Sequence, residues 1–229
     1  VSSGNVTNIP LLRAIAATRK PVIMSTGLSY LSEIDEAVRE LEAHGCRELA
    51  ILQCTSLYPT APRDVNLRTF VTLRHAFPYP VGFSDHTVGN ACAIAAVALG
   101  ARMVEKHVTL DHALPGPDHH FSATPKEFAA LVNGIREVEL ALGTSRKRPA
   151  PAEVVERPKF QRTLVASRTI AAGEVFTTEN VIGKRTIANG LAPRFADSCY
   201  GQRAVRAIAA DEPITFDVIA FAPERMPAR

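Results

Sequence analysis

Two histidines carry the clearest chemical potential in the chain: His86, in Gly82-Phe-Ser-Asp-His-Thr87, and His107, in Glu105-Lys-His-Val-Thr-Leu-Asp111. Each closes a short run of β-forming residues. Strand side chains alternate, so Ser84 shares a face with His86, and Glu105 with His107. A third polar strand end, Gln53-Cys-Thr-Ser-Leu-Tyr-Pro-Thr60, adds Ser56 and Tyr58, which share a face if the strand runs that far. Imidazoles at the mouths of neighbouring strands can share a divalent ion and leave positions open for water and substrate, which suits manganese, zinc, iron or cobalt. The alternative is two hydrogen-bonded rim histidines, because a pair without a motif such as HExxH is a weak metal signature.

The loop Gly116-Pro-Asp-His-His-Phe-Ser122 offers two more histidines and a carboxylate, and reads first as a turn with capping residues ahead of a helix. No glycine-rich phosphate loop is present. A phosphate would be held by separate Ser, Thr, Lys and Arg side chains or by helix N-termini. Glu105 and Asp111 come nearest to an acid/base carboxylate pair, and both could equally be structural ion-pair partners.

The elements that must position these residues follow a repeating pattern. Strands are predicted at Pro21–Thr26, Glu48–Cys54, Pro80–His86 and Met103–Leu110. Helices are predicted at Leu31–His44, with Ser32 as N-cap and Gly45 as stop, and at Asn66–Phe77, Asn90–Leu99 and Pro125–Leu142. Strands alternating with helices imply βα units and a parallel sheet. The strand starts lie roughly 25–30 residues apart, the repeat of a (β/α)8 TIM-type barrel, which needs about 250 residues for eight units. Four units are present, so the expected fold is α/β: a partial barrel over residues 1–143.

Residues 144–158 carry Arg146, Lys147, Arg148, Pro149, Pro151 and Pro158 without apolar periodicity, and read as a semi-extended linker. Beyond it, Arg168-Thr-Ile-Ala-Ala-Gly-Glu-Val-Phe-Thr matches Arg206-Ala-Ile-Ala-Ala-Asp-Glu-Pro-Ile-Thr. Gly173-Glu174 and Asp211-Glu212 sit where tight turns would reverse two short strands. The expectation for residues 159–229 is a small, pseudo-symmetric, β-rich domain whose core is too small to be robust alone.

Composition sets outer limits. The chain has 229 residues, 46% of them hydrophobic and 21% charged, which excludes wholesale disorder. The net charge of +3 is scattered, so a nucleic-acid partner is not indicated. The longest apolar run, Ala91 to Leu99, is too short for a membrane span. Four cysteines without a CxxC pair fit free thiols in a reducing compartment, hence a cytoplasmic protein without a membrane partner.

The chain resembles the N-acetylneuraminate (sialic acid) synthases. The resemblance rests on Ser3-Gly4-Asn5-Val-Thr-Asn8, Ser25-Thr-Gly27, Gln53-Cys-Thr-Ser-Leu-Tyr-Pro59, Ser84-Asp-His-Thr87, Glu105-Lys-His107 and Gly116-Pro-Asp-His119. The tail resembles that family's antifreeze-like (SAF) domain, down to Lys184-Arg185 and Asn189-Gly190. The order of the motifs implies the last four βα units of the barrel, with Val1 at a mid-barrel position.

The resemblance implies metal-dependent condensation of phosphoenolpyruvate with N-acetylmannosamine or a related N-acyl amino sugar. The products would be a nine-carbon 2-keto sugar acid and phosphate. It implies His86 and His107 as ligands of Mn²⁺ or Mg²⁺, Ser3 and Ser84 on phosphoenolpyruvate, and Tyr58 near the sugar. Gln53 and Ser56 are further substrate-binding candidates, Ser56 standing where many bacterial members carry Asn. It also implies that Arg185 reaches a partner's site in a domain-swapped homodimer. Asn5 falls at a catalytic position where the family commonly has a carboxylate, and an amide keeps hydrogen bonds but cannot act as a base. The family also supplies a glutamate and lysines from units not present here, so the chain alone is expected to turn over poorly or not at all. The competing expectation is a non-catalytic remnant acting as a carbohydrate-binding or dimerisation module. A 3-deoxy-sugar-acid phosphate synthase would share the barrel, but that group generally lacks such a tail.

Overall fold

The computed structural model describes residues 1–221; the last eight residues of the expected tail domain lie outside the described residues. The chain divides into two compact units, Val1–Ser145 and Arg146–Arg229.

In the first unit a helix that the strand–helix pattern does not reveal, α1 (Ile9–Ala17), precedes β1 (Val22–Ser25); Asn8 caps it and Pro10 lies in its first turn. There follow α2 (Leu31–Ala43), β2 (Leu49–Cys54), the short α3 (Pro62–Val65), α4 (Thr69–Ala76), β3 (Val81–Asp85), α5 (Ala91–Ala98), β4 (Val104–Lys106) and α6 (Pro125–Leu142). The four strands form one parallel sheet in the order β1-β2-β3-β4. β2 and β3 are buried at every residue, as expected of parallel strands covered on both faces. Leu12, Met24, Leu41, Ile51, Phe70, Leu73 and Phe83 fill the core. Each such burial contributes about 1.5–3 kcal/mol.

Several expected boundaries shift. The cap of α2 is at Tyr30 rather than Ser32: the Glu33 side chain accepts the Tyr30 N–H at 2.7 Å, closing the helix start from inside. The helix expected from Asn66 is α4 and begins at Thr69, because Asn66 takes a left-handed conformation (φ 46°) that ends α3. β4 stops at Lys106, four residues before the expected Leu110; beyond it only an isolated bridge joins Val108 to Ala123.

The stretch expected to be an extended linker is helical over α7 (Pro151–Phe160). Pro151 occupies the first turn, where its missing N–H costs nothing, and Glu153 accepts the Ala150 N–H at 2.8 Å. The proline content thus starts a helix here instead of preventing one.

The second unit continues with β5 (Arg162–Ala166), β6 (Val181–Arg185), α8 (Ala196–Cys199), β7 (Arg203–Ala204) and β8 (Ile219–Ala220). β5 pairs with β6 and β7 with β8, both antiparallel. Both repeat turns form, with Glu174 N–H donating to Ala171 O and Glu212 N–H to Ala209 O. The segments flanking them do not fold back as two hairpins, however; they pair across the repeat. Gly173 N–H donates to Ala204 O at 2.8 Å, and Asp211 N–H to Ala166 O at 2.8 Å. An antiparallel bridge joins Ile170 to Ile208, both fully buried. Pairing the repeats with each other brings both isoleucines into one core.

Candidate functional site

The ends of β2, β3 and β4 converge. The His86 and His107 rings lie with centroids 5.2 Å apart in an edge-on arrangement. Tyr58 covers both, 4.3 Å from His86 and 5.7 Å from His107, and Phe121 packs 5.0 Å from His107. β2 ends at Cys54, so Tyr58 arrives on the loop beyond the strand and not by strand alternation.

Registry across β3 and β4 explains why the histidines meet. Ser84 lies opposite Glu105 and Asp85 opposite Lys106, so the next pair along is His86 and His107. Ser84 Oγ donates to Glu105 Oε1 at 2.7 Å on the face that the histidines share. Asp85 and Lys106, on the alternate face, form an ion pair at 2.8 Å.

His86 is buried, and its Nδ1 sits 2.8 Å from the Thr55 carbonyl oxygen, which can only accept. Nδ1 therefore carries the proton, leaving the Nε2 lone pair free in the neutral ring. Burial disfavours the His86 imidazolium, but Cys54 and the Thr55 carbonyl outweigh it and raise the pKa. Burial lowers the His107 pKa, and the neighbouring His86 lowers it further. Cys54 lies 3.8 Å from His86 Nδ1 and 3.6 Å from Ser3 Oγ. Burial would push its thiol up, yet hydrogen bonds from His86, Ser25 and Ser3 bring it down to about 7.

Ser3 joins this cluster because Val1 lies along the outer edge of β1, its N–H groups donating to Ile23 O and its carbonyl accepting Ser25 N–H. Ser3 Oγ then donates to Ser25 Oγ at 3.2 Å and accepts the Gly27 N–H at 2.9 Å. Gly27 is required by close approach: a Cβ there would stand 2.2 Å from Ser56 Oγ and 2.9 Å from Ser3 Oγ.

Other candidates lie apart from the histidines. Gln53 is buried on the face of β2 opposite Cys54 and donates to Val65 O at 3.4 Å, beside a cavity of about 530 Å³ that Ser56 also lines. Asn5 lies in a 3-10 turn ahead of α1, donating from Nδ2 to Ser2 Oγ and accepting at Oδ1 from Asn8 Nδ2. Arg185, in the second unit, donates from Nε to Lys159 O at 2.9 Å and stacks over the Phe160 ring at 4.5 Å. Asp118, in the loop that reads first as a turn and second as a cluster of ligands, has its Oδ2 3.8 Å from His107 Nδ1. Nothing in its sequence spacing points to His107; the loop brings it there. Its neighbours His112 and His119 serve the turn, bonding Glu127 and Thr109 respectively.

The donor set fits a divalent ion. Two imidazoles share a face, and one of them has its tautomer fixed by a backbone carbonyl, as is usual for metal-binding histidines. Among the described residues no group of three His, Cys, Asp or Glu side chains is arranged to hold a metal. Water and substrate would complete the shell, leaving a site open to chemistry.

Comparison with known proteins follows the same division. The NeuB family matches residues 1–147 and the SAF domain residues 161–220. An uncharacterized protein of Methanocaldococcus jannaschii is 48% identical over 81% of this chain and 55% of its own length. The N,N'-diacetyllegionaminic acid synthase of Campylobacter jejuni is 38% identical over 93% of this chain and 64% of its own. The human N-acetylneuraminate-9-phosphate synthase is 34% identical over 96% and 61%. The chain thus spans between 55% and 64% of the length of these relatives.

Among solved structures, the N-acetylneuraminic acid (sialic acid) synthetase of Leptospira borgpetersenii matches with a TM-score of 0.63 at 37% identity, over 69% of this chain and 55% of that one. A truncated 3-deoxy-D-arabino-heptulosonate 7-phosphate synthase of Thermotoga maritima, at 20% identity and a TM-score of 0.54, covers 62% of this chain and 58% of that one and shares the fold.

Proposed function

The chain belongs to the NeuB family and carries a SAF domain, and from that premise we propose that its strand-end cluster is the condensation site of a sialic acid synthase-type enzyme. The reaction joins phosphoenolpyruvate to N-acetylmannosamine or a related N-acyl amino sugar and releases phosphate. The relatives named N,N'-diacetyllegionaminic acid synthase and N-acetylneuraminate-9-phosphate synthase support the reaction class. The observation that carries the reading is the convergence of His86, His107 and Tyr58 at one strand mouth, with ring centroids 4.3–5.7 Å apart.

In this reading His86 and His107 hold Mn²⁺ or Mg²⁺, with His86 presenting Nε2. When bound, the ion supplies Lewis-acid polarisation of the sugar aldehyde. Ser3 and Ser84 bind phosphoenolpyruvate, with Ser56 contributing from the loop beyond β2. Tyr58, half-exposed over the histidines, offers a ring face and a hydroxyl to the sugar. Asp118 places a carboxylate 3.8 Å from His107 Nδ1, beside the second ligand ring. Arg185 contacts the N-acyl group from the SAF domain of a second copy, in a cytoplasmic domain-swapped homodimer. No helix among the described residues is long and apolar enough to cross a membrane.

The four strands correspond to the last four units of the barrel. Turnover by this chain alone is slow, because the Asn5 amide cannot take a proton as a carboxylate would. The test is phosphate release from phosphoenolpyruvate and N-acetylmannosamine with Mn²⁺, alongside Mn²⁺ titration of the chain and of His86→Ala and His107→Ala. The expected result is Mn²⁺ binding that both substitutions abolish, with slow phosphate release. Sugar binding that survives loss of both histidines, without phosphate release, would overturn the enzyme reading in favour of a carbohydrate-binding module.

A further inference from the structure

The ion pair between Lys106 and Asp85 takes no part in the chemistry described above, yet it is the most deeply buried charge pair among the described residues. The two side chains are 2% and 0% exposed, against at least 25% for a partner in every other pair. Removing two charges from water is costly, and such a pair is often no more stable than well-packed apolar residues in the same space. Stability alone therefore gives no reason for it.

Its hydrogen bonds show a different logic. Lys106 Nζ donates to Asp85 Oδ2 at 2.8 Å and to the Thr87 carbonyl oxygen at 2.8 Å. Those two acceptors flank His86 on either side, and Lys106 itself immediately precedes His107. Asp85 Oδ1 accepts from both the N–H and the hydroxyl of Thr87, at 2.9 and 2.8 Å, closing a small loop around His86. The ladder between β3 and β4 ends at Asp85 and Lys106, so the histidines stand one residue past the last backbone pairing. Where the ladder stops, one ammonium group ties the segment carrying one histidine to the segment carrying the other. A one-residue slip between these strands would turn one histidine to the opposite face.

We propose that the buried Lys106–Asp85 pair is a positioning device that holds His86 and His107 in the alignment needed to share one divalent ion. This rests on the reading of the two histidines as metal ligands, and it adds two residues that touch neither metal nor substrate. Lys106 and Asp85 act through the backbone around His86, from the opposite face of the sheet.

The test uses the full chain and Mn²⁺ alone, followed by electron paramagnetic resonance of free Mn²⁺, with apo thermal unfolding measured in parallel. Lys106→Met leaves a buried carboxylate unpaired and can fail to fold. The decisive variant is therefore the double Asp85→Asn/Lys106→Met, which leaves no unpaired buried charge. The expected result is an apo unfolding midpoint close to wild type with Mn²⁺ affinity about 10–100-fold weaker, the range found when groups supporting metal ligands are lost. Lys106→Arg, which keeps a donor at this point, is expected to recover part of that affinity. A folded double variant with wild-type affinity overturns the positioning role while leaving the metal site intact. Wild-type chain that binds no Mn²⁺ overturns the metal reading itself, and this proposal with it.

Discussion

Both units of the molecule contain paired charges, and the two settings differ in what the pairing can do. In the first unit the Asp85 and Lys106 side chains are buried, and the hydrogen bonds they make run to each other and to Thr87, in the segment that carries the site. In the second, Arg168–Glu174 and Arg206–Glu212 repeat one motif on the surface at 2.8 and 2.7 Å. Their carboxylates also accept from Ala171 N–H and Ala209 N–H, each at 2.8 Å, closing the two equivalent turns. A buried pair aligns strands because breaking it strands a charge in low dielectric. An exposed pair is screened, and its lasting contribution is to the local turn.

The largest expected effect separates these settings. Lys106→Met alone should cost about 3–5 kcal/mol in urea unfolding of the first unit, the range for leaving one partner of a buried pair uncompensated. A loss below about 1 kcal/mol would place this pair with the surface pairs and end the contrast.

Glycines sharpen the comparison next. Gly82 sits inside β3, where a Cβ would stand 2.5 Å from Leu52 Cδ2 and 2.7 Å from the Met103 carbonyl oxygen. Gly82→Ala should therefore cost about 1–3 kcal/mol by overpacking, read as a lower denaturation midpoint.

Gly173, by contrast, has open space around the point where a Cβ would stand, with nothing within 4 Å, but a φ of +78°; its repeat partner Asp211 adopts φ +65°. Conformation rather than space limits both. Gly173→Ala should destabilise the second unit by about 1–2 kcal/mol, whereas Asp211→Gly, which relieves the backbone strain but loses the 2.7 Å ion pair with Lys184, should change it by less than about 1 kcal/mol. Equal responses at the two positions, measured by thermal unfolding, would refute the equivalence of the turns.

The smallest effect is one of pH. Hydrogen bonds from Arg168 and then Ala171 N–H lower the Glu174 pKa from 4.5 to about 2, and Arg206 lowers that of Glu212. A carboxyl whose pKa is depressed on folding contributes stability above its unfolded pKa and loses it as pH falls through the folded one. The second unit should thus lose stability progressively from about pH 4.5 down to pH 2, and Glu174→Gln should flatten that slope.

Much of this is legible in the chain. Short β-forming runs locate the four strands of the parallel sheet, and period-3.6 patterns locate α2, α4, α5 and α6, because a helix buried on one face leaves that trace. Strand alternation places Ser84 with His86 and Glu105 with His107, and the repeat Arg168/Arg206 announces two matching turns. The misses have physical causes. α7 hides behind its prolines: Pro151 sits in the first turn, which tolerates proline, while Pro158 lies inside the helix. The repeat turns suggest hairpins, since local pattern specifies a turn but not which distant segment the flanking residues will bond.

What the sequence by itself determined was the order of βα units, the chemistry at each strand end and the duplicated turn motif, all set by local periodicity and residue type. What only the tertiary structure decided was which of those groups meet. Tyr58 reached the histidines on a loop, Asp118 came to His107 through a turn, Gln53 faced away, and Lys106 bridged both sides of His86. Those outcomes depend on registry between strands and on loop paths. They are settled by packing and by satisfying buried polar groups across the fold, which no local spacing encodes.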